Sequence, residues 1–132
     1  MAVKPVPDGF HTVTPYVLVE DATRFMEFLK QAFDAKEIYR STTPDGVVNH
    51  AQMQIGDSML MTGQGRDEWK AMPASFYLYV PDMDAVYRKA VEAGGVSIQE
   101  PMDHDYGDRS GGVKDAFGNQ WWIATHIADM PH

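Results

Sequence analysis

Cysteine is absent from the 132 residues. That removes disulfides, thiol nucleophiles and thiolate metal sites from consideration. Basic residues are scarce: 11 Lys and Arg stand against 19 Asp and Glu, a formal net charge of -8. This balance argues against nucleic-acid or anionic-membrane partners, both of which need basic patches. It suits a neutral or cationic small molecule, and it equally serves solubility. No apolar run approaches membrane-spanning length, and the opening Met1-Ala2-Val3-Lys4-Pro5 lacks the apolar core of a signal peptide. These absences predict a soluble, cytoplasmic protein. What remains is ordinary. A composition 44% hydrophobic and 23% charged fits one globular domain over 1–132 with a core of its own.

Residues 1 to 10 hold prolines and read as an irregular arm. Thr12 to Val19 is β-branched and aromatic, a strand. Asp21 is a candidate N-cap, and Phe25, Phe28, Leu29, Ala32 and Phe33 follow at helical spacing. Glu37 to Ser41 reads as a strand, Thr43 to Gly46 as a turn, then Val47 to Ile55 and Ser58 to Thr62 as two strands joined at Gly56-Asp57. Residues 63–74 are read as a linker. The order then recurs: strand Phe76 to Val80, a helix from Asp82 with apolar Met83, Val86, Tyr87, Ala90 and Val91, and Gly94-Gly95 to end it. Strands Val96 to Gln99, Arg109 to Lys114 and Gln120 to Thr125 complete it. Asp115, Gly118 and Asn119 read as turn residues.

The halves superpose. Pro15 to Ala22 lies over Phe76 to Met83 with Asp21 on Asp82, an offset of 82 − 21 = 61. Gly56 to Leu60 lies over Gly118 to Trp122, an offset of 118 − 56 = 62. The chain is therefore read as α+β, a duplicated βαβββ unit with repeats 12–62 and 75–126. Strand parity sorts the side chains. Val17, Val19, Ala51, Met53, Ile55, Leu78, Val80, Trp121 and Ile123 form a consistently apolar, helix-facing set. The alternate set is Thr14, Tyr16, Leu18, His50, Gln52, Gln54, Ser58, Leu60, Ser75, Tyr77, Tyr79, Trp122, Ala124 and His126. It mixes rings with hydroxyls, amides and imidazole, as a concave small-molecule site does. An interface between subunits would enrich the same residues.

The duplicated unit resembles the vicinal oxygen chelate superfamily of glyoxalase I, bleomycin-resistance proteins and extradiol dioxygenases, and within it the PhnB-like group. The stretches that carry the resemblance are TPYVLVEDA, HAQMQIGDSMLM and YGDRSGGVKDAFGNQWWIATH. The resemblance implies two cupped half-sheets around a cleft, in a homodimer. It also implies a divalent metal held by His or Glu at positions that here are Thr14, Leu60 (or Met61, one residue on), Ser75 and Trp122. None of these is a good ligand, so no metal or other cofactor is predicted.

The expectation is a small-molecule-binding protein whose ligand meets Tyr16, His50, Gln52, Tyr77, Tyr79, Tyr106, Arg109 and Trp122. The alternative is a lyase, isomerase or dioxygenase type of enzyme, with His50 as acid or base or with a relocated divalent metal. Each residue also has a plainer role. The plainer readings are a His50 bonded to a neighbour and a Trp122 and tyrosines that only fill the cup, while Arg109 either clamps an anionic ligand or fixes a loop in a salt bridge. His126 is read as a capping or interface residue.

Overall fold

The computed structural model describes residues 3–129. It is an α+β chain with two helices and two four-stranded mixed sheets. The chain divides into two compact units. One is built from the chain up to Lys30 with Asp34–Met72, the other from Gln31–Phe33 with Pro73 onward.

In the first unit, β1 (Tyr16–Val19), β2 (Lys36–Thr42), β3 (Val48–Ile55) and β4 (Ser58–Gln64) assemble in the order β1-β4-β3-β2. β1 runs parallel to β4, and β3 is antiparallel to both of its neighbours. Helix α1 (Ala22–Phe33) joins β1 to β2. Asp21 caps it, its carboxylate accepting the Arg24 N–H at 3.2 Å, which satisfies one of the donors a helix start leaves open. Asp34 ends it in the left-handed conformation at φ 57, a conformation that Asp tolerates better than most residues. Phe25, Met26, Leu29 and Ala32 are fully buried, so the helical stripe in the sequence is the buried face.

The second unit repeats the plan. Strands β5 (Ser75–Tyr79), β6 (Val96–Asp103), β7 (Asp108–Lys114) and β8 (Gln120–His126) take the order β5-β8-β7-β6, with β5 parallel to β8. Helix α2 (Met83–Glu92) is capped by Asp82 and packs on β6, β7 and β8. Trp121 anchors the core. It is 1% exposed, stacks on Phe76 at 4.3 Å and meets Phe33 at 4.8 Å. Its indole N–H donates to the Asp115 carboxylate at 2.9 Å. Asp115, itself buried, also accepts from the backbone of Phe117 and Asn119 and from the Asn119 amide. Asn119 in turn accepts the Ala74 N–H at 2.8 Å. The turn residues thus set backbone geometry and also tie the loop to β5 and the core.

Pairing corrects four expectations. β1 starts at Tyr16 rather than Thr12, because Pro15 has no N–H to give a ladder. β4 runs on through Gly63 and Gln64 to pair with Leu18 and Val19, shortening the linker. β6 does not stop at Gln99 but continues through Pro101 to Asp103. The register shift between Gln99 and Met102 takes the proline out of the ladder. The fourth correction concerns parity. Met61 pairs with both Tyr16 and Gln52, whereas Leu60 pairs with Met53 and is buried. Leu60 therefore belongs to the core face, and Met61 joins Tyr16 and Gln52 on the open one. Trp122 pairs with Tyr77 as Met61 pairs with Tyr16. The repeat offset there is 122 − 61 = 61, the same as 77 − 16 = 61. The offset of 62 came from aligning glycines of unequal hairpins: Ile55 pairs with Ser58 across two residues, Lys114 with Gln120 across five.

Candidate functional site

On each sheet the candidate residues share one face, which is exposed at Tyr16, Tyr77 and Tyr79 and buried at Asp108, Ser110 and Ala124. In the second unit, β7 brings Asp108 into register with His126 of β8, two residues from the Ser110–Ala124 pair. Asp108 is 3% exposed. One carboxylate oxygen meets His126 Nδ1 at 2.9 Å. The other accepts the Tyr77 hydroxyl at 2.7 Å and the Tyr79 hydroxyl at 2.8 Å. A buried carboxylate is costly unless its lone pairs are filled, and here three side chains fill them. His126 Nε2 meets the exposed Asp129 at 2.7 Å, so the imidazole lies between two carboxylates.

The electrostatics follow from these bonds. His126, then Tyr77, hold the Asp108 carboxyl below its usual range despite burial. Asp108 first, and Asp129 after it, raise the His126 pKa and favour the imidazolium. Burial and then the Asp108 hydrogen bond push the Tyr77 phenol up, and the Asp108 hydrogen bond does the same for Tyr79. The two phenols are therefore fixed donors. Their rings, 5.2 Å apart, stay 44% and 64% exposed. Tyr106, itself half exposed and stacked on His104 at 4.9 Å, adds to the upward push on Tyr77.

In the first unit, His50 occupies the open face of β3. Its Nδ1 lies 3.1 Å from the Tyr16 hydroxyl, and its Nε2 3.4 Å from the Gln52 amide. The Tyr16 and Tyr39 rings flank it at 5.6 and 6.1 Å. Gly63, beside Tyr16, has no room for a side chain: a Cβ there would come within 2.6 Å of the Asn49 carbonyl oxygen and 3.2 Å of the Tyr16 hydroxyl. A recess of about 350 Å³ adjoins this face, between Pro5, Pro7, Phe10 and His11 of the arm, Thr14 ahead of β1, and the sheet residues Gln52 and Met61.

Two expected site residues make close contacts within the second unit. Arg109 alternates with Asp108 and points away from the open face. It makes a two-pronged salt bridge to Asp84 of α2, at 2.9 and 3.0 Å, and a third bond to Asp103. These bonds tie β7 to α2 and to the end of β6. Trp122 lies over Gly112, its paired residue on β7. A Cβ at Gly112 would meet the indole ring at 2.6 Å and Ile98 at 3.0 Å. The glycine is the seat of the indole, so Trp122 packs sideways onto the sheet. His126, expected as a capping or interface residue, bonds Asp108 and Asp129, and Asp108 escaped notice as a site residue. Parity carried the signal: the positions of β7 that share a face with Trp122 are Asp108, Ser110 and Gly112.

Among the described residues, no group of three or more His, Asp or Glu side chains stands close enough to hold a metal ion. No helix among them is long and apolar enough to cross a membrane.

Comparison with known proteins gives consistent findings. A family model described as Glyoxalase/Bleomycin resistance protein/Dioxygenase superfamily matches residues 9–123. An uncharacterized protein of Mycobacterium bovis is 31% identical over 134 residues, spanning 89% of this chain and 85% of that one. Among solved structures, TioX from a Micromonospora species has a TM-score of 0.73 at 20% identity, covering 87% of this chain and 99% of that one. The PhnB protein from Bacillus cereus has a TM-score of 0.70 at 19% identity, covering 87% and 99%. At those identities the two structures speak for the fold alone. The family match over residues 9–123 goes further, and the protein belongs to the Glyoxalase/Bleomycin resistance protein/Dioxygenase superfamily.

Proposed function

We propose that the protein binds a small molecule on the open faces of its sheets and does so without the divalent metal its superfamily's enzymes use. One observation carries the reading. Tyr77 and Tyr79 commit both hydroxyls to a single oxygen of buried Asp108 while their rings remain open to solvent. Rings already fixed lose little conformational freedom on binding and offer area to a flat partner. The class that suits them is aromatic or cationic. A ring gains stacking, and a cation gains attraction to the ring faces and to a chain of net charge -8. The positions that correspond to the superfamily's metal ligands hold Thr14, Met61, Ser75 and Trp122. Hydroxyls, a thioether and an indole do not fit a metal that wants imidazole or carboxylate donors. No chemical step is therefore routed through a metal.

A panel of neutral and cationic aromatic compounds, titrated while tryptophan emission is followed, tests this reading. Tyr77→Ala and Tyr79→Ala should each weaken the best binder by about two- to tenfold, the range of one aromatic contact. A panel in which nothing binds, or in which neither substitution changes any affinity, would reject it. A second reading, an enzyme with His50 as acid or base, has one observation in its favour: Tyr16 orients the His50 ring through Nδ1. Wild-type turnover in His50→Ala would remove it. The assembly we propose is a homodimer, which light scattering of the purified protein would test.

A further inference from the structure

We infer that His126 is an anchor for the carboxylate of an aromatic acid, and that in the free chain Asp129 holds that place. The inference rests on the proposed small-molecule function and names one ligand class for it. The imidazole is fixed from one side. Asp108, buried at the start of β7, meets His126 Nδ1 at 2.9 Å. The other Asp108 oxygen is taken by Tyr77 and Tyr79, so this carboxylate stays with the chain. Nε2 meets the second carboxylate, Asp129, at 2.7 Å. With an acceptor on each nitrogen, both N–H groups donate and the ring is an imidazolium.

The carboxylate on Nε2 is the lightly held one. The Ile127 and Ala128 N–H groups both donate to the Gly107 carbonyl, at 2.8 and 3.1 Å, and the chain then returns Asp129 to His126. The Asp129 side chain is 100% exposed and that of His126 is 49% exposed, and an ion pair so open to solvent contributes little. An external carboxylate can take its place. One anion then replaces another, and the charge around the imidazolium is unchanged. An open ring lies alongside: Tyr79 meets His126 edge to face at 6.5 Å, with Tyr77 5.2 Å from Tyr79. A ligand ring gains stacking on the phenols while its carboxylate takes the charged N–H. The net charge of -8 opposes a distant anion. At physiological salt that repulsion is screened beyond about 8 Å, and the contact itself is with a cation.

The test uses two naphthalenes of one shape, naphthalene-2-carboxylate and the uncharged 2-naphthamide. Each is titrated calorimetrically into the full chain at pH 6, below the ordinary 6.5 from which Asp108 raises the His126 pKa. The acid should bind at least about threefold tighter than the amide, the scale of one screened ion pair. Asp129→Ala, at a fully exposed side chain, should tighten the acid by about three- to fivefold and leave the amide within about a factor of 1.5. A merely structural Asp129 would not have that effect. His126→Gln should erase the preference for the acid. Amide chemical shifts of the unsubstituted chain supply a readout that does not depend on a variant folding: the acid should move the Asp129 resonance further than the amide does. Absent binding of the acid, equal binding of the two compounds, or an Asp129→Ala chain that binds the acid no more tightly would overturn the inference. If the amide binds and Tyr79→Ala weakens it while the acid shows no advantage, the inference falls and the proposed function stands.

Discussion

Replacing Asp108 with Asn tests whether this buried carboxylate organises the open face of the second sheet. The change keeps the shape, removes the charge, and turns one acceptor into a donor. Either the phenols or the imidazole must then lose their partner. A hydrogen bond to a charged group contributes about 1.5–3 kcal/mol. The Tyr77 bond is part-buried and falls in that range, so the expected loss from it alone is about 2 kcal/mol. The ion pair with half-exposed His126 adds a solvent-screened share. The pH dependence gives the sharper signature. The Asp108 pKa is held below its ordinary value of 3.8, so its contribution is present above that value and fades as pH falls through the folded pKa. The His126 pKa is raised above 6.5, so its contribution is complete below that value and fades as pH rises through the folded pKa. Both are in force between pH 3.8 and 6.5. Urea unfolding of wild type and variant near pH 5 and pH 8.5 should show the larger penalty at the lower pH. A penalty below about 0.5 kcal/mol at pH 5, the scale of an ordinary surface change, would refute the reasoning. So would a penalty that grows with pH.

Three further outcomes follow from the same structure. Asp115→Ala strands the Asn119 and Trp121 side-chain donors in the core, and should cost about 3–5 kcal/mol in chemical unfolding. Gly112→Val drives a side chain into the Trp122 ring; tryptophan emission should shift as the indole is displaced, even if the fold survives. Arg109→Leu releases Asp84 and should speed amide exchange in the first turn of α2 while leaving small-molecule affinities unchanged.

The sequence carried most of the fold because its signals were local or periodic. Asp21 and Asp82 preceded apolar stripes at helical spacing, and both cap their helices. Alternation placed Val17, Val19, Trp121 and Ile123 on one face and Tyr16, Tyr77 and Tyr79 on the other. What failed was long-range register. Two hairpins of different length shifted a glycine-based alignment by one residue, and a slip of one exchanges the faces of a strand. That misplaced Leu60 and hid Met61. Asp108 and Arg109 show a second limit. Adjacent charged residues look alike in sequence, yet one collects two phenols and an imidazole while the other pins a helix 25 residues away. Which does which depends on the pairing of β7 with β8. The seat of Trp122 was likewise invisible, because it is the absence of a side chain at Gly112, across the sheet.

The central claim is small-molecule binding that owes nothing to a divalent metal. Calorimetric titration of the best aromatic binder, before and after exhaustive chelation of the protein, tests it most directly. The account predicts the same affinity in both, within about a factor of two. Binding lost on chelation and restored by Zn²⁺, Mn²⁺, Ni²⁺ or Fe²⁺ would contradict it.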